Sequence, residues 1–325
     1  MKNTRNWLMI LILPFIFASS SALAVFDDNI SGVCEKSSGS IIKVYPGLGS
    51  PVNSNPFKQA ANTSNDGDQC SEIPDAYRIN IYKFGTCTAD PFTANDFSTC
   101  SYFINSDTPV IHTIEGVGAP TPLVTTGVVA PGTYGYGFMI LSNSLEVKHT
   151  QTYDTAMYSN PDGGGIEQGT TCWSIDYTTT YGGFDPALRD KGSVSSTGIK
   201  CGAPESAAPA FTKEIFDSMG GGVSEEPFLA TDAVSHTLPS GDSMRAKLLQ
   251  ADNLTTATGY GNAQRIFARI DFAADKVVTA SSSFEIKFKL TDAVSVDSGY
   301  DSDNNRQYIV KMGADPFQVD VVVTN

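Results

Sequence analysis

Six cysteines, Cys34, Cys70, Cys87, Cys100, Cys172 and Cys201, do most to narrow the folds open to this chain of 325 residues. All of them follow a leader. Lys2 and Arg5 precede an apolar run from Trp7 to Ala18, and Ala22-Leu23-Ala24 carries the small-x-small pattern that signal peptidases cut. Residues 1–24 therefore read as a secretory signal peptide and residues 25–325 as the mature, β-rich chain. The apolar run falls short of the ~20 residues that a membrane-crossing helix needs. An even number of cysteines behind such a leader predicts disulfides made in an oxidising compartment. A metal site would call for close pairs such as C-x-x-C with histidine nearby, whereas even Cys87 and Cys100, the nearest two, have twelve residues between them. Among the connectivities six cysteines allow, the simplest is sequential: Cys34 with Cys70, Cys87 with Cys100, and Cys172 with Cys201.

Between and beyond these staples the chain reads as β. Short runs rich in β-branched and aromatic residues are bounded by Gly, Pro, Asn and Asp. The runs are Ser40–Tyr45, Tyr77–Phe84, Val110–Ile114, Leu123–Val129, Tyr134–Ser142, Trp173–Thr179, Ile266–Phe272, Phe284–Leu290, Gln307–Met312 and Phe317–Val323. In Phe284–Leu290 apolar and charged residues alternate strictly, which predicts one buried and one wet face in an antiparallel sheet. The last strand alternates likewise, with Phe317, Val319, Val321 and Val323 on one face. Two helices are expected. One follows the spacing of four in Phe211, Ile215 and Met219 and stops at Gly220-Gly221-Gly222; the other spans Ser243–Leu249 with Asp242 as N-cap. With strands dominant and no βαβ rhythm, the expected fold is an all-β antiparallel sandwich or jelly roll with one or two short helices and long disulfide-pinned loops. A subdomain boundary is placed near residues 145–170. Val129-Ala130-Pro131-Gly132-Thr133-Tyr134 resembles the strand opening of bacterial surface β-sandwich modules of the prealbumin-like kind; Pro131-Gly132 there predicts a type II turn.

Charge excludes some partners. The precursor carries 35 acidic and 21 basic side chains, net −14. Lys2 and Arg5 leave with the leader, so the mature chain holds 35 against 19, net −16. Nucleic acid and anionic membrane surfaces both require clustered Lys and Arg. No segment of the mature chain has spanning length.

Catalytic motifs are missing from the sequence. His112 lies in a β-run, His149 at a strand end and His236 in an expected loop, and no H-E-x-x-H or G-x-S-x-G is present. Gly241-Asp242-Ser243 contains the block of some secreted esterases, but two thirds of the way along the chain rather than near its mature start. Asp301, Asp303 and Asn305 have the 1, 3, 5 spacing that lets alternate side chains of a tight turn converge on Ca²⁺. Arg306 stands where an EF-hand needs Gly and Met312 where it needs Glu, so the expectation is a looser Ca²⁺ loop. Asn65-Asp66-Gly67-Asp68 is a second, weaker Ca²⁺ candidate, for which a plain turn is the favoured reading.

These features point to an exported protein of the extracellular space, cell surface or periplasm, and to a structural or adhesive role rather than an enzymatic one. Its expected partners are further copies of itself or other surface proteins, with the last strand offering an edge for β-augmentation into filaments or a matrix. The alternative is a carbohydrate-binding module or polysaccharide-active enzyme, with Tyr134, Tyr136, Trp173, Tyr177 and Tyr181 stacking on glycans.

Overall fold

The computed structural model describes residues 33–45, 57–59, 62–67, 69–116, 122–159, 167–176, 198–216, 234–237, 241–258, 260–290, 293–301, 306–314 and 317–325. They form an all-β, sandwich-like fold of strands numbered β1–β20 along the chain. One eight-stranded sheet contains β1 (Lys36–Ser38), β2 (Ile41–Ile42), β5 (Gln69–Glu72), β10 (Thr150–Ser159), β11 (Glu167–Ser174), β12 (Ile199–Gly202), β18 (Val294–Asp301) and β19 (Arg306–Ala314). The other contains β6 (Ala76–Cys87), β7 (Cys100–Glu115), β8 (Gly132–Ser142), β9 (Ser144–Lys148), β13 (Thr212–Ile215), β14 (Val234–Thr237), β15 (Ser243–Leu249) and β16 (Arg265–Val278). A small hairpin joins β3 (Phe57–Gln59) to β4 (Asn62–Gly67), and a two-stranded ribbon joins β17 (Ser283–Lys289) to β20 (Gln318–Thr324).

Pairing between the described strands is antiparallel apart from single parallel contacts of β10 with β2, at Tyr153 and Ile42, and with β19, at Tyr158 and Ile309; Val33 also bridges Ser71 of β5 in parallel. The chain crosses from the second sheet to the first between Lys148 and Thr150. One core cluster fills the space between, drawing Ile42, Tyr153, Val296 and Met312 from the first sheet and Tyr77, Phe84, Leu141 and Ile270 from the second. Val319 and Val321 of the ribbon belong to the same core. The alternation of Phe284–Leu290 appears as expected: Phe284, Ile286 and Phe288 pack inward while Glu285 and Lys287 are exposed.

All three disulfides pair sequentially, Cys34–Cys70, Cys87–Cys100 and Cys172–Cys201, closing separations of 36, 13 and 29 residues. Such loops stabilise by about 3–4 kcal/mol each in the chain-entropy picture. Cys87–Cys100 joins neighbouring strands where Gly85 is required: a Cβ there would lie 2.1 Å from the Ser101 carbonyl oxygen.

Both expected helices are strands. Ser243–Leu249 is β15, paired along its whole length with β16 and flanked by β14. Its composition suits a helix, but Met244, Ala246 and Leu248 are buried at period two, and sheet context overrides local propensity. Asp242 caps no helix; its Oδ1 accepts the Ala273 amide of β16 at 2.8 Å, after Gly241 turns the chain at a φ of 85°. Thr212–Ile215 is β13, paired with β9. A spacing of four is also a multiple of two, so Phe211 and Ile215 share a strand face as readily as a helix face; Met219 lies outside the described residues. Leu123–Val129, expected as a strand, lies in an irregular segment, 122–130, and Gly132 begins β8 without the positive φ of a type II turn. Asn62–Gly67, in place of an isolated turn, is β4, and His236 sits in β14.

Candidate functional site

The residues singled out from sequence scatter. Asp301 ends β18 opposite Arg306, while Asp303 and Asn305 lie outside the described residues. Among the described residues no group of three or more His, Cys, Asp or Glu is placed to hold a metal. His112 and His149 are both buried. His112 faces the core against the Phe288 ring at 5.2 Å, and burial lowers its pKa. His149 sits where the chain crosses between sheets; burial, aided by Lys36, holds its pKa down at about 4. Tyr134 and Trp173 are buried too, the Tyr134 hydroxyl donating to the Ala130 carbonyl at 2.8 Å, so neither offers a face to a sugar. Tyr177 and Tyr181 lie outside the described residues.

A site that the sequence did not announce covers the outer face of the second sheet. The loop 88–99, closed by Cys87–Cys100, lays Phe92 and Phe97 over Phe138, Ile140 and Phe267. Cations are threaded among these rings. The Lys247 ammonium lies 4.4 Å from the Phe92 ring centre and donates to the Phe92 carbonyl; burial brings its pKa down to about 8. Arg269 donates to Asp90 at 2.6 Å and also to Asp271. Burial opposes ionisation of Asp90, but the Phe92 amide, at 2.8 Å, and Arg269 outweigh it and lower its pKa. These bonds tie the loop to the sheet; their chemistry is that of a clasp.

Open backbone is found at sheet edges. β20 pairs residue for residue with β17, from Ser283 opposite Thr324 to Lys289 opposite Gln318. Its inner face rests on the core, with Phe317 against Tyr77 and Phe288. Phe284 and Phe288 of β17 lie against Phe103 and His112 of β7. Among the described residues the ribbon joins neither eight-stranded sheet, so β20 and Ser283–Phe288 of β17 each keep one edge without a paired strand. β20 is thus sealed on its β17 side. Another open edge belongs to β7, a strand of sixteen residues that among the described residues pairs only with β6. The upstream part of that edge is covered where Thr126 and Gly127 donate to the Phe103 carbonyl at 2.8 and 3.0 Å.

Comparison of the chain with known protein families, with curated proteins and with solved structures returns no match. The three disulfides fit an oxidising compartment. No helix among the described residues is long and apolar enough to cross a membrane.

Proposed function

We propose that this protein is exported and serves as a structural or adhesive subunit at the cell surface or beyond it, assembling through β-strand pairing. The observation that carries the reading is the β17–β20 ribbon: seven paired residues held to the core by one face, with no further strand paired to the outer edge of β20 or of Ser283–Phe288 in β17 among the described residues. An unpaired edge is a template for another chain, and isolated two-stranded ribbons gain stability when a third strand joins. The leader and the disulfides support an extracytoplasmic setting. The acidic connection after Asp301 supports Ca²⁺ as a factor in assembly through Asp301, Asp303 and Asn305.

The test is sedimentation velocity and negative-stain microscopy on the protein purified with its disulfides formed, with Ca²⁺ and with chelator. Concentration-dependent oligomers or fibres are expected, and Ca²⁺ should promote them. A monomer at the highest soluble concentration in both conditions would refute the reading.

A further inference from the structure

We propose that the downstream edge of β7, Val110–Glu115, is the seam at which two copies of this chain join, strand to antiparallel strand about a two-fold axis. The inference rests on the strand-pairing reading above and adds to the ribbon a further edge, with its occupant. Val110 to Glu115 pair with Ile81 to Ala76 of β6, and no backbone group among the described residues bonds to their other edge. The usual guards of an edge are confined to the bulge upstream, where Ser106-Asp107-Thr108-Pro109 stands opposite Tyr82 alone. Past the bulge the strand carries Ile111 with 64% of its surface in solvent, and the segment that covers the upstream edge adds Val124 at 66% and Val128 at 91%.

Charge argues for a second copy as the occupant. From Cys100 to Pro131 the only charged side chains are Asp107 and Glu115, in a chain that is 17% charged overall. Two strongly acidic molecules repel, and they meet with least opposition where each is nearly neutral. Self-pairing is also chemically consistent. Directly opposed residues of an antiparallel pair share a face, so a two-fold pairing must centre on a residue. Centring on Thr113 would set Ile111 against Glu115; centring on Ile111 would set Thr113 against Pro109, which has no N–H to donate. Centring on His112 sets Val110 against Ile114 on the core side and Ile111 against Thr113 outside. The structure thus assigns His112 to the axis, with apolar side chains opposed and no like charges facing.

Three proteins test this by sedimentation: the wild type, Ile111→Lys, and Leu254→Lys, the last being the same change at an exposed leucine elsewhere. The wild type should dimerise, Ile111→Lys should raise the dimer Kd at least tenfold, and Leu254→Lys should leave it unchanged. Melting curves check that both variants keep the fold. Hydrogen exchange on the wild type provides a reading without mutation: the amides of 110–115 should slow as dimer forms. Undiminished dimerisation of Ile111→Lys, or exchange at 110–115 that ignores concentration, overturns the seam while leaving assembly by another edge standing. A wild-type monomer at every concentration overturns both.

Discussion

Acid should loosen this fold through one imidazole, that of His149. Its backbone is pinned where the chain passes between sheets, the amide donating to Ser174 Oγ at 3.0 Å and the carbonyl accepting the Ser174 amide at 2.9 Å. His149 is 3% exposed, and neither ring nitrogen has a hydrogen-bond partner among the described residues. The charged neighbour is Lys36, itself bound to Glu72 at 2.5 Å. Burial first, and Lys36 second, bring the folded-state pKa from 6.5 to about 4. A folded pKa below the unfolded one means that the unfolded chain binds the extra proton, so stability is complete above the unfolded value and falls as pH drops towards the folded one. Working the two pKa values through gives a loss of about 2 kcal/mol at pH 5 and about 3 kcal/mol near pH 4 and below.

The assay is urea unfolding with disulfides intact, on wild type and His149→Leu, at pH 7 and pH 5. Acidic side chains titrate alike in both proteins, so the difference between them isolates the imidazole. Leucine fills a similar volume and removes two unpartnered buried nitrogens, so the variant should match or exceed the wild type at pH 7. At pH 5 its advantage should widen by about 2 kcal/mol. Equal pH dependence in the two proteins, or a variant weaker by more than about 2 kcal/mol at pH 7, would show that the ring nitrogens are partnered and refute the reasoning.

Two further predictions concern the pieces held to the sandwich from outside and at its end. Asp90→Ala should cost about 1.5 kcal/mol, the low end for charged hydrogen bonds because the carboxylate is partly exposed, and should speed proteolysis within residues 88–99 while the core stays intact. Phe317→Ala, which empties the contact with Tyr77 and Phe288, should cost about 3 kcal/mol and selectively accelerate hydrogen exchange in β17 and β20.

Period-two patterning in the sequence revealed the strands whose two faces differ in environment. Phe284–Leu290 and Phe317–Val323 alternate because one face meets the core and the other meets water. β15 alternates too, Met244, Ala246 and Leu248 standing between Ser243, Arg245 and Lys247, with the loop 88–99 burying Lys247 and Leu249 as well. None of its residues is β-branched or aromatic, so helical propensity outweighed the alternation and misled. The clasp of Asp90, Phe92, Lys247 and Arg269 was illegible for a related reason: it joins residues far apart in the chain, and only the staple Cys87–Cys100 marked that a loop there would be held down.

Edges are hidden from sequence more thoroughly than faces. Side-chain alternation records which way a residue points, whereas hydrogen-bonding direction lies in the plane of the sheet and leaves no periodic trace. The final strand could therefore be read as half-buried but not as paired, and its β17 neighbour, 29 residues or more away, closes one of its two edges. The same blindness passed over β7, where Val110–Ile114 reads as an ordinary strand. In a lone edge strand an exposed isoleucine facing neither sheet nor ribbon is a liability, and the few charges of Cys100–Pro131 do little to offset it. That liability has a physical resolution if the edge is occupied in the assembled protein: a partner strand would cover Ile111 and satisfy the free backbone groups beside it together.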